Sequence, residues 1–282
     1  MKKILVTGGV GFIGSNLIKA LYSQNFNIVS LDNYSTGSIN NEMEGVRYIN
    51  NDIENIDDIE NDFDICFHLA AQSRVQPSFE DPRKSFNVNV LGTLKVIEWG
   101  KKNNIKIIYA GSSSKHHQPA DSPYAMYKFL GEQVCKLYQT SYKVNIEIAR
   151  FYNVYGPGEN MDEKYGNVIG IWRSKVSKGE SLPIVGDGNQ KRDFIHVDDI
   201  VDGLIKIGLS ELHHTDAWEL GMGINYSINQ VFSYFRNKFN VESKHVPDQP
   251  GNYIETLREN NDALKLLKWN PVDRLKEYIN QL

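Results

Sequence analysis

The feature that most restricts the fold is a glycine-rich segment between a short apolar run and a helix-like stretch. The run Ile4–Val6 leads directly into Thr7–Gly14, which has glycines at positions 8, 11 and 14. Glycines at this spacing permit a tight turn, close approach of the backbone to a pyrophosphate, and close packing of helix on strand. Amide groups at the start of the following helix can then hold the phosphates. The segment predicts a dinucleotide site with contacts from Gly8, Gly11, Phe12, Ile13 and Gly14.

The end of the next apolar run distinguishes between two dinucleotides. Asn27–Leu31 is typical of a strand, and Asp32 follows it directly. A carboxylate at this position accepts hydrogen bonds from the ribose hydroxyls of NAD and repels the 2′-phosphate of NADP. Neither Lys nor Arg occurs between Asp32 and Gly45. The sequence therefore predicts NAD, with Asp32 and Asn33 as further contacts.

Alternation of strand-like and helix-like segments predicts the architecture around this site. Apolar runs typical of strands occur at Ile4–Val6, Asn27–Leu31, Arg47–Ile49, Ile65–Leu69, Ile105–Ala110 and Ile146–Arg150. Apolar residues repeat at helical spacing in Gly14–Gln24, Ser85–Lys101 and Tyr124–Ser141. This order predicts an α/β fold with a Rossmann-type doubly wound parallel sheet. Because the pattern becomes irregular after Gly156, we predict a Rossmann domain over 1–155 and a mainly substrate-binding lobe over 156–282, with some segments returning to the first domain.

Composition narrows the class of protein. The chain has 282 residues, 40% of them hydrophobic, which is enough to bury a sizeable core. A formal net charge of −4 offers no excess of basic residues to a nucleic acid, and no apolar run reaches the roughly 18–20 residues that span a bilayer. The N-terminus lacks a signal-peptide pattern, so we expect a cytoplasmic protein. Cys66 and Cys135 make neither a disulfide framework nor a metal cluster, and no metal is expected.

A second constellation supplies groups for acid–base chemistry. The strand-like run that ends at Ala110 continues into Gly111–Ser114, and Tyr124 and Lys128 follow at the start of a helix-like stretch. Residues four apart on a helix share a face, so the ammonium can help lower the phenol pKa from about 10. A serine hydroxyl at the strand end can hydrogen-bond the same substrate oxygen while a nicotinamide takes hydride. A tyrosine and a lysine four residues apart are common on helix surfaces. Because this pair follows a dinucleotide-binding turn and a strand that ends in serines, it predicts a redox site.

Together these motifs resemble the extended short-chain dehydrogenase/reductase superfamily, in its nucleotide-sugar epimerase/dehydratase branch, over nearly the whole chain. The resemblance implies catalytic roles for Ser113, Tyr124 and Lys128. It also implies cofactor contacts from Asp52, Ile53, Leu69, Ala70, Ala71, Gln72, Asn89, Tyr124 and Lys128. Asn89 could instead cap or bridge the backbone.

The resemblance further implies a nucleotide-diphosphate sugar, UDP-linked, as the substrate. Its contacts would be Asn153, Asn167, Val185 beside the base, Arg192 and Thr256. The fork-shaped guanidinium of Arg192 suits a diphosphate, whereas His196 and Asp198 are expected to form an internal network. Relatives use the equivalents of Ser85–Lys101 and Tyr124–Ser141 for a four-helix dimer interface, which implies a homodimer.

The residues after the catalytic serine favour one reaction within this branch. Dehydratases place an Asp-Glu pair there, whereas Ser114 and Lys115 follow Ser113 in this chain. We therefore expect 4-epimerisation, in which the sugar is transiently oxidised at C4 with Tyr124 as base and hydride returns to the opposite face. Other sugar epimerisation, dehydration or reduction, and an NAD- or nucleotide-sugar-binding protein without turnover, remain the alternatives.

Two segments depart from the branch. Lys115–His117 replaces a Val-Tyr-Gly motif in a shortened loop. Gln249 occupies a position at which many relatives have an arginine. Arg258 or Lys244 could supply the missing charge. Thr256 occupies a position at which glucose-restricted 4-epimerases carry a tyrosine. A side chain this small leaves room for an acetamido group, so we expect UDP-N-acetylglucosamine to be accepted at least as well as UDP-glucose. The alternative is that Thr256 lies away from the sugar.

Overall fold

The computed structural model describes residues 2–282 and has a central sheet flanked by helices. Its strands are β1 (Lys3–Thr7), β2 (Asn27–Asp32), β3 (Arg47–Asn50), β4 (Ile65–His68), β5 (Lys106–Ser112), β6 (Ile146–Phe151), β7 (Asn153–Tyr155), β8 (Leu182–Val185), β9 (Lys191–His196), β10 (Trp218–Leu220), β11 (Asn225–Ser227) and β12 (Ser243–Val246). Its α-helices are α1 (Phe12–Ser23), α2 (Val75–Glu80), α3 (Pro82–Phe86), α4 (Thr93–Lys102), α5 (Pro123–Tyr142), α6 (Val168–Ser177), α7 (Val197–Leu209), α8 (Ile228–Phe239), α9 (Asp262–Leu266) and α10 (Leu275–Gln281).

The central sheet contains seven strands in the order β10-β6-β5-β4-β1-β2-β3, and every pairing in it is parallel. Strand β1 pairs with both β2 and β4, so Thr7 lies between Leu31 and His68. The strand order reverses at β1, which opens a crevice at the carboxyl ends of the strands, the usual ligand position in such sheets. The predicted Rossmann-type fold is confirmed.

Alternate residues of the central strands face two separate cores. Ile4 and Val6 pack with Leu17 of α1 and Leu204 of α7 on one face. Leu5 packs on the other face, in a core to which α4 contributes Val96 and α5 contributes Cys135. This alternation follows from the two-residue period of a strand, and it explains why both faces of the strands are apolar in sequence.

Segments from the second half of the chain form a smaller lobe around a third core, which includes Trp172, Ile184 and Phe235, whereas α7 packs on the central sheet. Two small sheets, β11-β9-β7 and β12-β8, lie in this lobe. Strand β10 leaves it and pairs with β6 at the edge of the central sheet. No helix among residues 2–282 is both long enough and apolar enough to cross a membrane.

The predicted helix over Ser85–Lys101 is interrupted. Helix α3 ends at Phe86, a π-helical turn covers Asn87–Gly92, and α4 begins at Thr93. Within that turn the side chain of Asn89 bonds the backbone of Gln72 in both directions, at 2.9 and 3.0 Å. A π-helical turn is a rare local departure that occurs mostly as a single turn within an α-helix, and periodicity does not reveal it.

Candidate active site

One cavity of about 1710 Å³ runs across the carboxyl ends of the central strands and into the smaller lobe. It brings together the predicted catalytic residues Ser113, Tyr124 and Lys128, and the predicted substrate residues Asn153, Asn167, Val185, Arg192 and Thr256. It is also lined by the predicted cofactor residues Gly8, Gly11, Phe12, Ile13, Gly14, Asp32, Asn33, Asp52, Ile53, Leu69, Ala70, Ala71 and Gln72. Asn89 is buried behind this wall and bridges backbone, so the structure does not support it as a direct cofactor contact.

We call the region around the glycine turn and Asp32 the cofactor side of the cavity. The turn is closely packed: a Cβ added at Gly14 would lie 2.1 Å from the Gly8 carbonyl oxygen, and one at Gly8 would lie 2.8 Å from the Ala70 nitrogen. Gly8 also has φ +74°, which other residues rarely adopt. Helix α1 starts after Gly11 with no side-chain cap. Its first amides are therefore available to a pyrophosphate.

Asp32 is held in place at the end of β2. Its carboxylate accepts hydrogen bonds from the Val10 amide at 3.0 Å and the Tyr34 amide at 2.8 Å. Burial raises the pKa of this carboxyl, and the two amide bonds oppose that rise. Asp52 accepts a bond from Asn33 Nδ2 at 2.7 Å beside it. A fixed carboxylate next to an uncapped helix start fits the ribose and pyrophosphate of NAD.

Tyr124 lies in the first turn of α5. Ser122 caps this helix by accepting a hydrogen bond from the Ala125 amide at 3.1 Å, and Pro123 occupies the first helical position, which suits its fixed φ. The Tyr124 hydroxyl donates to Ser112 Oγ at 3.4 Å. The side chain that touches the phenol is therefore Ser112, whereas the sequence prediction assigned this role to Ser113.

The difference of one position follows from where β5 ends. The strand continues through Ser112, and Ser113 begins a 3₁₀ turn. Ser112 Oγ also accepts hydrogen bonds from the Ser114 amide at 3.2 Å and the Ser114 hydroxyl at 3.0 Å. Ser113 lines the cavity, but the structure brings Ser112 to Tyr124.

Lys128 lies one turn beyond Tyr124 and is buried. Its ammonium donates to the Ala110 carbonyl at 2.5 Å and lies 4.6 Å from the centre of the Tyr109 ring. Burial lowers the pKa of Lys128 to about 8, although Glu132 acts in the opposite direction. Burial raises the pKa of Tyr124, and the Ser112 hydrogen bond and the Arg74 guanidinium oppose that rise. From the sequence we expected Lys128 to be the cation that lowers the pKa of Tyr124. Arg74 was not predicted.

A buried ion network supports α5 from behind. Arg150, on β6, donates to Glu132 at 2.7 Å and to Glu219 of β10 at 3.1 Å. Glu219 also contacts His116 at 2.6 Å, and His116 reaches Glu259 at 2.9 Å with its other ring nitrogen. The shortened loop is thus fixed to the smaller lobe.

The predicted Lys115–His117 segment points away from the cavity. Lys115 lies 3.7 Å from Asp216, His116 lies in the ion network, and His117 stacks on Tyr253 with ring centres 3.8 Å apart. Ser113 and Ser114 line the cavity in this region instead. His116 and His117 are therefore not placed to act as bases.

We call the region around Asn153, Arg192 and Thr256 the substrate side of the cavity. Asn153 Nδ2 donates to Thr256 Oγ1 at 3.0 Å, and that oxygen also accepts from the Asp193 amide at 3.1 Å. Arg192 donates to Asn252 at 2.6 Å, and burial lowers the pKa of its guanidinium to about 10. Thr256 is 5% exposed and lines the cavity.

Several polar side chains near the substrate side make hydrogen bonds that stabilise the fold. Asn167 caps α6 by accepting from the Gly170 amide at 2.6 Å, and its Nδ2 donates to Val154 and Glu159. His196 caps α7 by accepting from the Asp198 amide at 3.2 Å. These bonds hold the walls of the cavity in place.

The replacements suggested for the missing arginine do not reach the cavity. Arg258 donates to the Gly221 carbonyl at 2.8 Å and to Asn261 at 2.9 Å, away from the opening. Lys244 is exposed on β12. Gln249 itself lines the cavity, so no cation from these positions replaces the absent charge.

Comparison with known proteins agrees with this geometry. Residues 4–221 match the model of the NAD dependent epimerase/dehydratase family, and the chain belongs to that family. NAD, the cofactor predicted from the sequence, is therefore confirmed.

Three relatives illustrate the family. A putative UDP-glucose 4-epimerase from Methanocaldococcus jannaschii is 34% identical over 99% of this chain and 96% of its own length. The structure of a UDP-N-acetylglucosamine 4-epimerase from Methanobrevibacter ruminantium M1, in complex with UDP-N-acetylmuramic acid, is 30% identical with a TM-score of 0.90 and covers 99% of this chain and 96% of that one. A mutant UDP-glucuronic acid 4-epimerase from Bacillus cereus, bound to UDP-4-deoxy-4-fluoro-glucuronic acid and NAD, is 25% identical with a TM-score of 0.90 and the same coverage.

Proposed function

We propose that this chain is an NAD-dependent 4-epimerase of a UDP-linked sugar. The observation that carries the proposal is the hydrogen bond from Tyr124 to Ser112, in a cavity shared by the glycine turn and the smaller lobe. This contact supports the pairing of a base with a hydroxyl at the point where a dinucleotide and a sugar could meet. The relatives named above act on UDP-linked sugars, which supports the same substrate class here.

Each catalytic side chain has a separate role in the proposed reaction. Tyr124, as phenolate, takes the proton of the sugar C4 hydroxyl while Ser112 hydrogen-bonds the same oxygen. NAD, which the glycine turn and Asp32 would hold, would supply the hydride acceptor and donor for C4, and inversion requires hydride return to the opposite face of the sugar. Tyr124 then gives the proton back to the C4 oxygen. Lys128 fixes the floor of the site by donating a hydrogen bond to the Ala110 carbonyl.

The neighbourhood of Ser112 favours this reaction over elimination. Dehydration needs an acid and a base beside C5 and C6, yet Ser114 bonds Ser112 and Lys115 lies toward Asp216. The carboxylates Glu132 and Glu219 are buried in the ion network and face Arg150. The segment that follows Ser112 therefore offers no acid–base pair for dehydration.

The size of Thr256 supports an N-acetylated sugar as an accepted substrate. Its side chain is small, lines the cavity and is fixed by Asn153 and the Asp193 amide. A bulky residue at this point would narrow the substrate side, whereas threonine leaves room for an acetamido group. We propose that UDP-N-acetylglucosamine is used at least as well as UDP-glucose.

Product analysis tests the proposed reaction directly. The purified protein is incubated with UDP-glucose, UDP-galactose and their N-acetylated counterparts, and proton NMR follows the anomeric and H4 signals. We expect each substrate to approach a mixture of the two C4 epimers. Loss of water, or transient NADH-like absorbance with no inverted product, would contradict epimerisation. A protein that binds the sugars with neither change would be the non-catalytic alternative.

We also propose a cytoplasmic homodimer. Helix α5 exposes Leu137 and Tyr142, at 53% and 51%. Pairing of α4 and α5 with those of a second copy would cover them. Analytical ultracentrifugation of the protein and of a Leu137→Glu variant would test this, since the charge should shift a dimer toward monomer.

A further inference from the structure

The cations that line the cavity differ in what they bind. They are Arg74, Arg83, Lys84, Lys128, Lys164, Lys175 and Arg192. Lys164 and Lys175 form ion pairs with glutamates. Lys128 and Arg192 donate to groups of the cavity wall, and Arg83 and Lys84 are exposed. Arg74 is half-buried, and its two Nη atoms have no hydrogen-bond partner among residues 2–282. It is therefore the enclosed cation that retains donors for a ligand.

Arg74 belongs to a segment that packs on the start of the catalytic helix. It is the residue immediately before α2, and Ser78 in that helix accepts a hydrogen bond from the Tyr124 amide at 3.0 Å. The Nε atom of Arg74 donates to the Tyr165 carbonyl at 2.7 Å. This bond fixes one edge of the planar guanidinium and leaves the N–H groups of both Nη atoms free. Because the fork is already held, little rotamer freedom is lost when it meets a ligand.

The same segment adjoins a second guanidinium of the cavity through one loop. Gln76 Nε2 donates to the Pro250 carbonyl at 3.0 Å. Two residues further along that loop, Asn252 accepts a hydrogen bond from Arg192 at 2.6 Å. Arg192 is the expected contact for the diphosphate of the substrate. The cavity therefore holds one guanidinium, Arg74, beyond the one that the diphosphate is expected to use.

The carboxylates on neighbouring parts of the cavity wall are engaged by other cations. Glu159 accepts a hydrogen bond from Arg173 at 3.0 Å, and Glu80 pairs with Lys164. No carboxylate among residues 2–282 forms an ion pair with Arg74. A negatively charged group on a ligand would therefore find this guanidinium without a competing partner from the protein.

We propose that Arg74 binds a carboxylate on the sugar, so that this chain uses acidic UDP-sugars such as UDP-glucuronate. The inference rests on the proposed function, since it assumes that a UDP-linked sugar reaches Tyr124. The two Nη atoms match the two oxygens of a carboxylate, and such bidentate contacts are stronger than hydrogen bonds between neutral groups. A carboxylate also supplies the counter-charge that the protein does not give Arg74, whereas a neutral sugar supplies none. The comparison between two neutral sugars, which concerns Thr256, is unaffected.

Binding in the absence of turnover tests the role of Arg74. In a Tyr124→Phe background, which removes the proposed base, titration calorimetry at saturating NAD compares UDP-glucuronate, UDP-glucose and UDP. We expect UDP-glucuronate to bind about tenfold more tightly than UDP-glucose, because a hydrogen bond to a charged group adds more than one between neutral groups. Arg74→Gln should lower the affinity for UDP-glucuronate about tenfold and change the other two affinities less than about twofold.

Two further variants sharpen this test. Arg74→Lys keeps the charge and loses the fork, so its affinity for UDP-glucuronate should lie between those of the wild-type side chain and Arg74→Gln. Arg236→Gln removes an exposed arginine from α8 and should leave all three affinities unchanged. The affinity for UDP also reports whether each variant is folded, and Arg74→Lys carries the test if Arg74→Gln is not.

Kinetics with Tyr124 intact supply the second readout. Arg74→Gln should raise KM for UDP-glucuronate about tenfold with little change in kcat, since the carboxylate contact is the same in the bound substrate and the transition state. Equal losses of affinity for UDP, UDP-glucose and UDP-glucuronate would make Arg74 a contact for the diphosphate and would overturn the inference. Unchanged affinity for UDP-glucuronate would overturn it as well.

Failure of the inference and failure of the proposed function give different results. Binding of UDP-glucuronate that depends on Arg74, in a protein that forms no C4 epimer, would support the inference and contradict epimerisation. Epimerisation of UDP-glucose by a protein that binds UDP-glucuronate more weakly than UDP-glucose would support the proposed function and overturn the carboxylate site.

Discussion

The cofactor side of the cavity is built mainly from backbone, whereas the substrate side is built from side chains that hold one another. On the cofactor side, the glycine turn and the uncapped start of α1 come from one continuous segment, and Asp32 follows on the neighbouring strand. On the substrate side, Asn153, Arg192 and Thr256 come from separate segments that meet only in the fold. The cofactor side therefore tolerates little change in backbone shape, while the substrate side can change specificity by single substitutions.

The largest loss of activity is expected at Tyr124, where the cofactor side and the substrate side of the cavity meet. Tyr124→Phe keeps the ring and removes the proton acceptor, so kcat should fall by about 10²–10⁴. The affinity for NAD, measured by titration calorimetry, should stay within a few-fold. Activity close to that of the wild type would place the base elsewhere, and a parallel loss of NAD binding would give the hydroxyl a role on the cofactor side.

A smaller loss of kcat should distinguish Ser112 from Ser113 at the end of β5. Ser112→Ala removes the hydroxyl bonded to Tyr124 and should lower kcat about 10–100-fold. Ser113→Ala removes a neighbour of almost identical size and exposure and should change kcat less than about threefold. Steady-state rates of the two variants compare them directly. The reverse ranking would show that the phenol changes its serine partner when substrate binds.

Dinucleotide choice tests the cofactor side. Asp32→Ser removes a partly buried carboxylate that would face a 2′-phosphate, so the ratio of NADP to NAD affinity should rise about tenfold or more. Calorimetry with both dinucleotides measures the ratio. Asp52→Ser is a matched control, because Asp52 bonds Asn33 one strand further along. A wild-type protein that binds NADP as tightly as NAD would contradict the role of Asp32.

The smallest change in kcat/KM is expected for a substitution on the substrate side of the cavity. Thr256→Tyr should lower kcat/KM for UDP-N-acetylglucosamine about tenfold relative to UDP-glucose, which corresponds to about 1.4 kcal/mol. The ring fills the space left for the acetamido group. Thr256→Val keeps the size and loses the bonds to Asn153 and the Asp193 amide. Equal losses on both sugars in Thr256→Tyr would place Thr256 outside the discriminating pocket.

The sequence predicted best those features whose cause is local. The glycine turn, Asp32 and the strands of the central sheet depend on short segments with a fixed period, and each lies where expected. The serine at the end of β5 was displaced by one position, because a gapless match cannot show where a strand stops and a turn begins. The π turn at Asn89 was missed for a similar reason, because helical periodicity does not show where a helix is interrupted.

Features that depend on distant contacts were not predicted. The effect of Arg74 on the pKa of Tyr124 depends on the fold, in which Ser78 of α2 accepts a hydrogen bond from the Tyr124 amide. The available signal was a cationic residue two positions after the cofactor-lining stretch 69–72. Likewise, no spacing rule reveals that His116 bridges Glu219 and Glu259, which are remote from it in the chain.

The return of β10 to the central sheet has a consequence for how the chain folds. Arg150 is fully buried and takes two of its carboxylate partners, Asp216 and Glu219, from the second half of the chain. A fragment of residues 1–155 would leave β6 as an unprotected edge and Arg150 short of counter-charge, so we expect it to aggregate rather than fold alone. During synthesis, the nascent Rossmann half would then stay incomplete until β10 leaves the ribosome.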